Sequence, residues 1–120
     1  MSDLLAMSSF SAGKTGVLRE EELLAQEQLI PLYHVVLLDD DQHTYDYVIE
    51  MLHNLFLIPA TEGFRKAVEV DATGRTIVIT CELPHAEFGR DQLHGYGPDW
   101  RMPQSKGSMS AVIEPAGGKN

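Results

Sequence analysis

The chain has 120 residues, room for one domain with a modest core and a tail. Its 18 acidic against 9 basic residues give a formal charge of −9, which argues against nucleic acid or anionic lipid and favours cationic partners. No apolar run is long enough to cross a bilayer, no signal peptide is recognisable, and the single cysteine, Cys81, excludes an intrachain disulfide, so a reducing, cytoplasmic compartment is expected.

Residues 1–31 differ from the rest. "SSFSAGKTG" is small and polar and "REEELLAQEQ" is charged and helix-favouring, so this part reads as a disordered or loosely helical tail ended by Pro31. Gly13-Lys14-Thr15 matches the end of a phosphate-binding loop, but Ser8 stands where an earlier glycine is required and no strand precedes it. A linker is the reading there. "YHVVLL" is a short β-branched run bounded by Pro31 and the aspartates, a buried strand. Thr44 is a candidate N-cap, and Val48, Met51, Leu52, Leu55 and Phe56 follow at helical spacing. Ile58-Pro59 breaks that helix and opens another, with Phe64, Ala67 and Val68 as its apolar positions and Gly74 as its stop. "RTIVITC" is a second strand, and Pro84 opens a short third helix carrying Ala86, Phe88 and Leu93. "GYGPDWRMPQSKG" is a loop, punctuated by Gly and Pro. "SMSAVIE" closes the domain as an alternating strand with Met109, Ala111 and Ile113 on one face. The order strand, helix, helix, strand, helix, strand predicts an α+β two-layer sandwich, a three-stranded antiparallel sheet with its helices on one face. The limits expected are a tail over 1–31, a core domain over 32–116 and a disordered C-terminus over 117–120.

The chemistry concentrates in "VVLLDDDQH", where a strand ends in Asp39, Asp40 and Asp41. Neighbouring carboxylates repel one another unless a cation arrives, although a following helix N-terminus also stabilises negative charge. A solvated turn and a cation site both remain open. A metal would need His43 or Asp71 as further ligands, but the calcium-loop glycine is absent and no paired His or Cys motif supports zinc. Cys81 lies inside a predicted strand and the five histidines form no catalytic motif, so no enzyme is expected.

"YHVVLLDDDQHTYDYVIEML" resembles the opening strand, acidic loop and first helix of the ClpS family, adaptors of the bacterial Clp protease. Leu38-Asp39-Asp40-Asp41 fill the end of a "VxLxNDD" strand, "YVIEML" matches "FVIxVL", and the spacing on to "AVEVDATGRTI" needs no gap. The resemblance spans about residues 32–115. It implies an adaptor without metal or cofactor that grips a destabilising first residue and delivers the protein to a ClpA- or ClpC-like AAA+ unfoldase, which the N-terminal tail engages.

By position, the resemblance assigns Asp39, Asp40 and Asp71 to the peptide's α-amino group, and His43, Tyr45, Val48, Ala67, Val70 and Met109 to the pocket for its first side chain. Five positions depart from the family's usual residues: Asp39 replaces Asn, Asp71 replaces His, His43 falls where a threonine usually sits, and Tyr45 and Ala67 replace Met. A more negative mouth would strengthen cation binding and admit Arg or Lys as a first residue, and Ala67 would enlarge the floor. The alternative is an interaction module of the same fold, with a degenerate pocket and another partner. Trp100, in a loop outside the family's pattern, either covers the mouth or packs on its own domain.

Overall fold

The computed structural model describes residues 30–117; residues 1–29, with the Gly13-Lys14-Thr15 motif and nearly all of the expected tail, and residues 118–120 lie outside the described residues. The core runs β1 (Leu32–Leu38), α1 (Tyr45–Phe56), α2 (Ala60–Thr73), β2 (Arg75–Glu82), α3 (Leu83–His94) and β3 (Ala111–Pro115). The strands form one antiparallel sheet in the order β2-β1-β3, as the sequence leads one to expect. β1 is central, which accounts for its near-continuous apolar run.

Alternation along β1 turns Val35 and Leu37 towards the buried side chains of the three helices. On β2 the register slips between Val35 and Val36, so that Val35 faces Ile79, Val36 faces Ile77 and Val78 has no partner on β1. This bulge lets Val78 and its neighbour Ile79 both reach the core.

α1 starts where expected: Thr44 is extended and its hydroxyl accepts the Tyr47 N–H. The helix buries Tyr47, Val48, Met51 and Leu52 and ends at Leu57, a left-handed residue with φ 59°.

The apolar face expected for α2 is corrected. Ala67 is fully buried, but its buried companions are Gly63 and Val70, while Phe64 and Val68 stay about half exposed. The cause is close helix packing, for a Cβ on Gly63 would stand 3.4 Å from the Ile49 Cα. Gly74 does stop the helix, with φ 90° and its N–H donating to the Val70 carbonyl at 2.9 Å.

α3 is also corrected. It is not short: at 12 residues it is as long as α1, and Gly89 within it is a packing contact. A Cβ there would meet Ile79 at 3.0 Å and Phe56 at 3.4 Å. Ala86, Gly89 and Leu93 form its buried line, while Phe88 faces solvent.

β3 begins three residues later than "SMSAVIE" suggests, although Met109 is buried and the Ser110 carbonyl accepts the Leu38 N–H at 2.9 Å. The preceding loop is tied to α1, since Tyr47 OH donates to the Gly97 carbonyl at 2.6 Å.

Candidate functional site

At the end of β1 the chain turns through the aspartates into α1, and the second half of α2 comes alongside. Asp39 is joined to the end of α2 by a bond from its N–H to the Gly74 carbonyl, 3.0 Å. The gap left among these segments is a cavity of about 50 Å³ lined by Asp39, Asp40, His43, Thr44, Tyr45, Val48, Ala67, Val70, Asp71 and Met109. All nine residues named from the sequence are brought together there. Thr44 is the tenth. Asp41, the third aspartate of the triplet, does not line it.

Burial divides the cavity into floor and rim. Val48, Ala67, Val70 and Met109 are buried and apolar, whereas Asp39, Asp40 and Asp71 are exposed. Among the described residues none of these three carboxylates is paired with a lysine or an arginine. The same residues include no group of three or more His, Cys, Asp or Glu arranged to hold a metal ion.

His43 lines the cavity and is also tied into the structure by polar contacts on both sides of its ring. Its ring is almost wholly buried, 3% exposed. Nδ1 lies 2.7 and 3.0 Å from the two Asp40 carboxylate oxygens, and Nε2 lies 2.7 Å from the Gly107 carbonyl and 3.3 Å from Ser105 Oγ. The ring therefore joins the rim carboxylate to the loop before β3, donating to both acceptors when each nitrogen carries hydrogen. Asp40 also accepts the Gln42 N–H at 2.9 Å, which fixes the carboxylate from a second side.

Tyr45 occupies the mouth. Its hydroxyl donates to Asp71 Oδ2 at 2.5 Å and its ring meets Phe64 edge-on, with centroids 6.0 Å apart. The bond to Asp71 raises the phenol pKa, and burial and the charges of Asp71 and Asp39 add to it. An apolar cavity that admits a benzene ring measures about 150 Å³, three times this one.

The loop residues were missed. Asp99 is 1% exposed and accepts four hydrogen bonds: from the Thr44 N–H and hydroxyl, both 2.7 Å, and from the Arg101 N–H and guanidinium, 3.0 and 3.1 Å. Burial alone would raise its pKa, but these donors outweigh burial and hold the carboxyl at about 2. Arg101 extends the network to Glu50 at 2.9 Å. Trp100 does not line the cavity: it is a surface aromatic, 80% exposed, that carries the Arg101 guanidinium 4.6 Å from its ring centre. Cys81 is half-buried in β2, its thiol pKa raised by burial and by Glu82.

The protein-family model described as "ATP-dependent Clp protease adaptor protein ClpS" matches residues 29–102, more than half of the chain. The chain belongs to the ClpS family. Among relatives, the ClpS adapter protein of Gloeobacter violaceus is 36% identical over 75 residues, covering 62% of this chain and 81% of the relative. That of Synechococcus elongatus is 27% identical over 99 residues, covering 82% and 93%. The structure of Agrobacterium tumefaciens ClpS2 bound to L-phenylalaninamide superposes with a TM-score of 0.61 at 26% identity, covering 72% of this chain and 98% of that one. This ClpS-family chain is therefore an adaptor of the ATP-dependent Clp protease and not an enzyme. No described helix is long and apolar enough to cross a membrane.

Proposed function

We propose that this adaptor binds the free N-terminus of a protein chain in the cavity at the end of β1 and delivers that chain to a ClpA- or ClpC-like unfoldase in the cytoplasm. The observation that carries the reading is the cavity's division into acidic rim and apolar floor. A free α-amino group is a cation with three donors, mostly charged at neutral pH with a pKa near 7.7–8.0. The first side chain extends from the same carbon and requires apolar surroundings within a few ångströms. The rim supplies carboxylates for the first and the floor supplies Val48, Ala67, Val70 and Met109 for the second. The Agrobacterium neighbour holds a ligand of this chemistry, an amino-acid amide with a free amino group and an apolar side chain.

Tyr45 makes binding a competition. The phenol occupies Asp71, so an incoming ammonium takes its place as donor, and the ring swings out to make room for a large first residue. Charge-assisted bonds contribute about 1.5–3 kcal/mol each. Burial of the side chain adds about 1.5–3 kcal/mol. The displaced phenol bond and association costs oppose these, which leaves affinity in roughly the micromolar range. The acidic rim also suits Arg or Lys as a first residue. The segment before the core domain, residues 1–31, is assigned the contact with the unfoldase.

The reading is tested by fluorescence anisotropy with labelled peptides beginning in Leu, Phe, Arg or Ala, each also N-acetylated. Affinity that depends on the first residue and is lost on acetylation supports it. Equal, weak binding to every peptide overturns it in favour of an interaction module with a degenerate pocket, for which Asp39 and Asp71 are the departures to blame.

A further inference from the structure

The loop between α3 and β3 supplies Met109 to the floor of the cavity, and that loop is held at several points by residues that open α1. Tyr47 holds the Gly97 carbonyl, Thr44 holds Asp99 through two bonds, and His43 holds the Gly107 carbonyl. Within the loop, the Gly97 N–H donates to Ser108 Oγ at 2.6 Å and the Asp99 N–H to Ser105 Oγ at 2.9 Å. Ser105 Oγ in turn lies 3.3 Å from His43 Nε2. A continuous line of contacts thus runs from Asp99 through Ser105 and His43 to the Asp40 carboxylate. Asp99 is the one member of that line that is both nearly inaccessible and ionised, with four donors around it.

We propose that Asp99 is the positioning residue of this cavity: by fastening the loop to the start of α1, it holds His43 against Asp40 and so aims the carboxylate that meets the incoming α-amino group. This rests on the function proposed above. Asp99 touches no ligand itself. A carboxylate left to itself at an exposed rim samples several rotamers, and each bound ammonium must then order it. With His43 on one side and Gln42 on the other, Asp40 is ordered beforehand, and that order depends on the loop's Gly107 carbonyl staying in reach of Nε2. Met109, two residues further on, is placed in the floor by the same loop. Asp99 therefore acts on recognition of the amino group and on the side-chain floor at once.

The test compares the full chain with Asp99→Asn, which keeps shape but replaces two acceptor oxygens by an acceptor and a donor, and with Ser105→Ala, which leaves the Asp99 carboxylate in place and removes the hydroxyl between the Asp99 N–H and His43. Two readouts are taken on protein shown by circular dichroism to be folded. The first is the ratio of affinities for a Leu-starting peptide with a free and with an acetylated amino group. A purely structural role lowers the melting temperature but leaves that ratio unchanged in folded molecules. The expected result is a ratio reduced about tenfold in Asp99→Asn and about threefold in Ser105→Ala.

The second readout is the imidazole ¹⁵N spectrum of His43, which needs no ligand. Its signals are expected to shift in both variants as the Gly107 contact loosens. A folded variant with unchanged ratio and unmoved His43 signals overturns the proposal, and if Asp99→Asn does not fold, Ser105→Ala decides it alone. If the unaltered chain shows no preference for the free amino group, the proposed function fails. The His43 signals then still show whether Asp99 holds the ring.

Discussion

The two sides of the cavity are built in different ways. On the side of the loop before β3, Asp99, Thr44, His43 and Gly107 are joined by several hydrogen bonds, and Asp99 and the His43 ring are almost wholly buried. On the α2 side, Tyr45 reaches Asp71 through one bond, and both residues are exposed, Tyr45 by 38%. A group held by many buried partners does not move without losing all of them together, whereas one exposed bond exchanges readily with water or a ligand. The contrast assigns different tasks. Under the proposed function, the first side would present a fixed carboxylate and the second would open.

Replacing the fixed carboxylate should have the largest effect. Asp40→Ala removes the ammonium's ordered acceptor and strands His43 Nδ1, and affinity for a free N-terminus is expected to fall by about 10- to 100-fold in a peptide titration. Asp71→Ala, on the exposed side, should cost clearly less, because the unbound carboxylate is already satisfied by Tyr45. Equal losses at the two positions would contradict the contrast.

Stability should follow the same division. Asp99→Ala deprives the α1 cap residue and Arg101 of their acceptor, an expected loss of about 2–3 kcal/mol in urea unfolding. The sign of its pH dependence follows from the lowered carboxyl. Because Asp99 has its pKa reduced from 3.8 to about 2 on folding, its stabilisation is complete above the unfolded value and disappears as pH falls from the first figure towards the second. Stability measured over that window should decline less steeply in Asp99→Asn.

Smaller effects belong to the α2 side. Gly74, with φ 90°, closes α2 and accepts the Asp39 N–H, and Gly74→Ala is expected to cost about 1–2 kcal/mol through the left-handed backbone alone. Tyr45→Phe keeps the ring and deletes the hydroxyl. Freed from the competing donor, Asp71 should bind a Leu- or Phe-starting peptide about threefold more tightly, a change worth less than one ordinary hydrogen bond. Weaker binding by Tyr45→Phe would show that the phenol contacts the ligand and does not compete with it.

Much of this was legible in the sequence because it is local. The apolar run of β1, Thr44 ahead of a helical period and Gly74 behind another each carry their own signal, and the structure forms all three elements. The family resemblance named nine residues that the fold gathers around one cavity, drawn from segments up to 70 positions apart. Errors arose where a residue's role depends on what approaches it. Phe88 reads as the apolar position of α3 but faces solvent while Gly89 beside it accommodates Ile79 and Phe56, and Phe64 reads as core but lies against Tyr45 at the surface. Asp99 was hidden for the same reason. It stands among Gly and Pro as an ordinary turn residue, and nothing in "GPDWR" announces a partner 55 positions earlier.

The most direct test of the central claim, that this cavity receives a free N-terminus, is an amide ¹H–¹⁵N spectrum of the chain titrated with L-phenylalaninamide and, separately, with its N-acetylated form. The expected result is a set of shifts concentrated at residues 39–45, 67–71 and 109, produced by the free amine alone. Shifts centred elsewhere, or the same shifts with the acetylated compound, would contradict it.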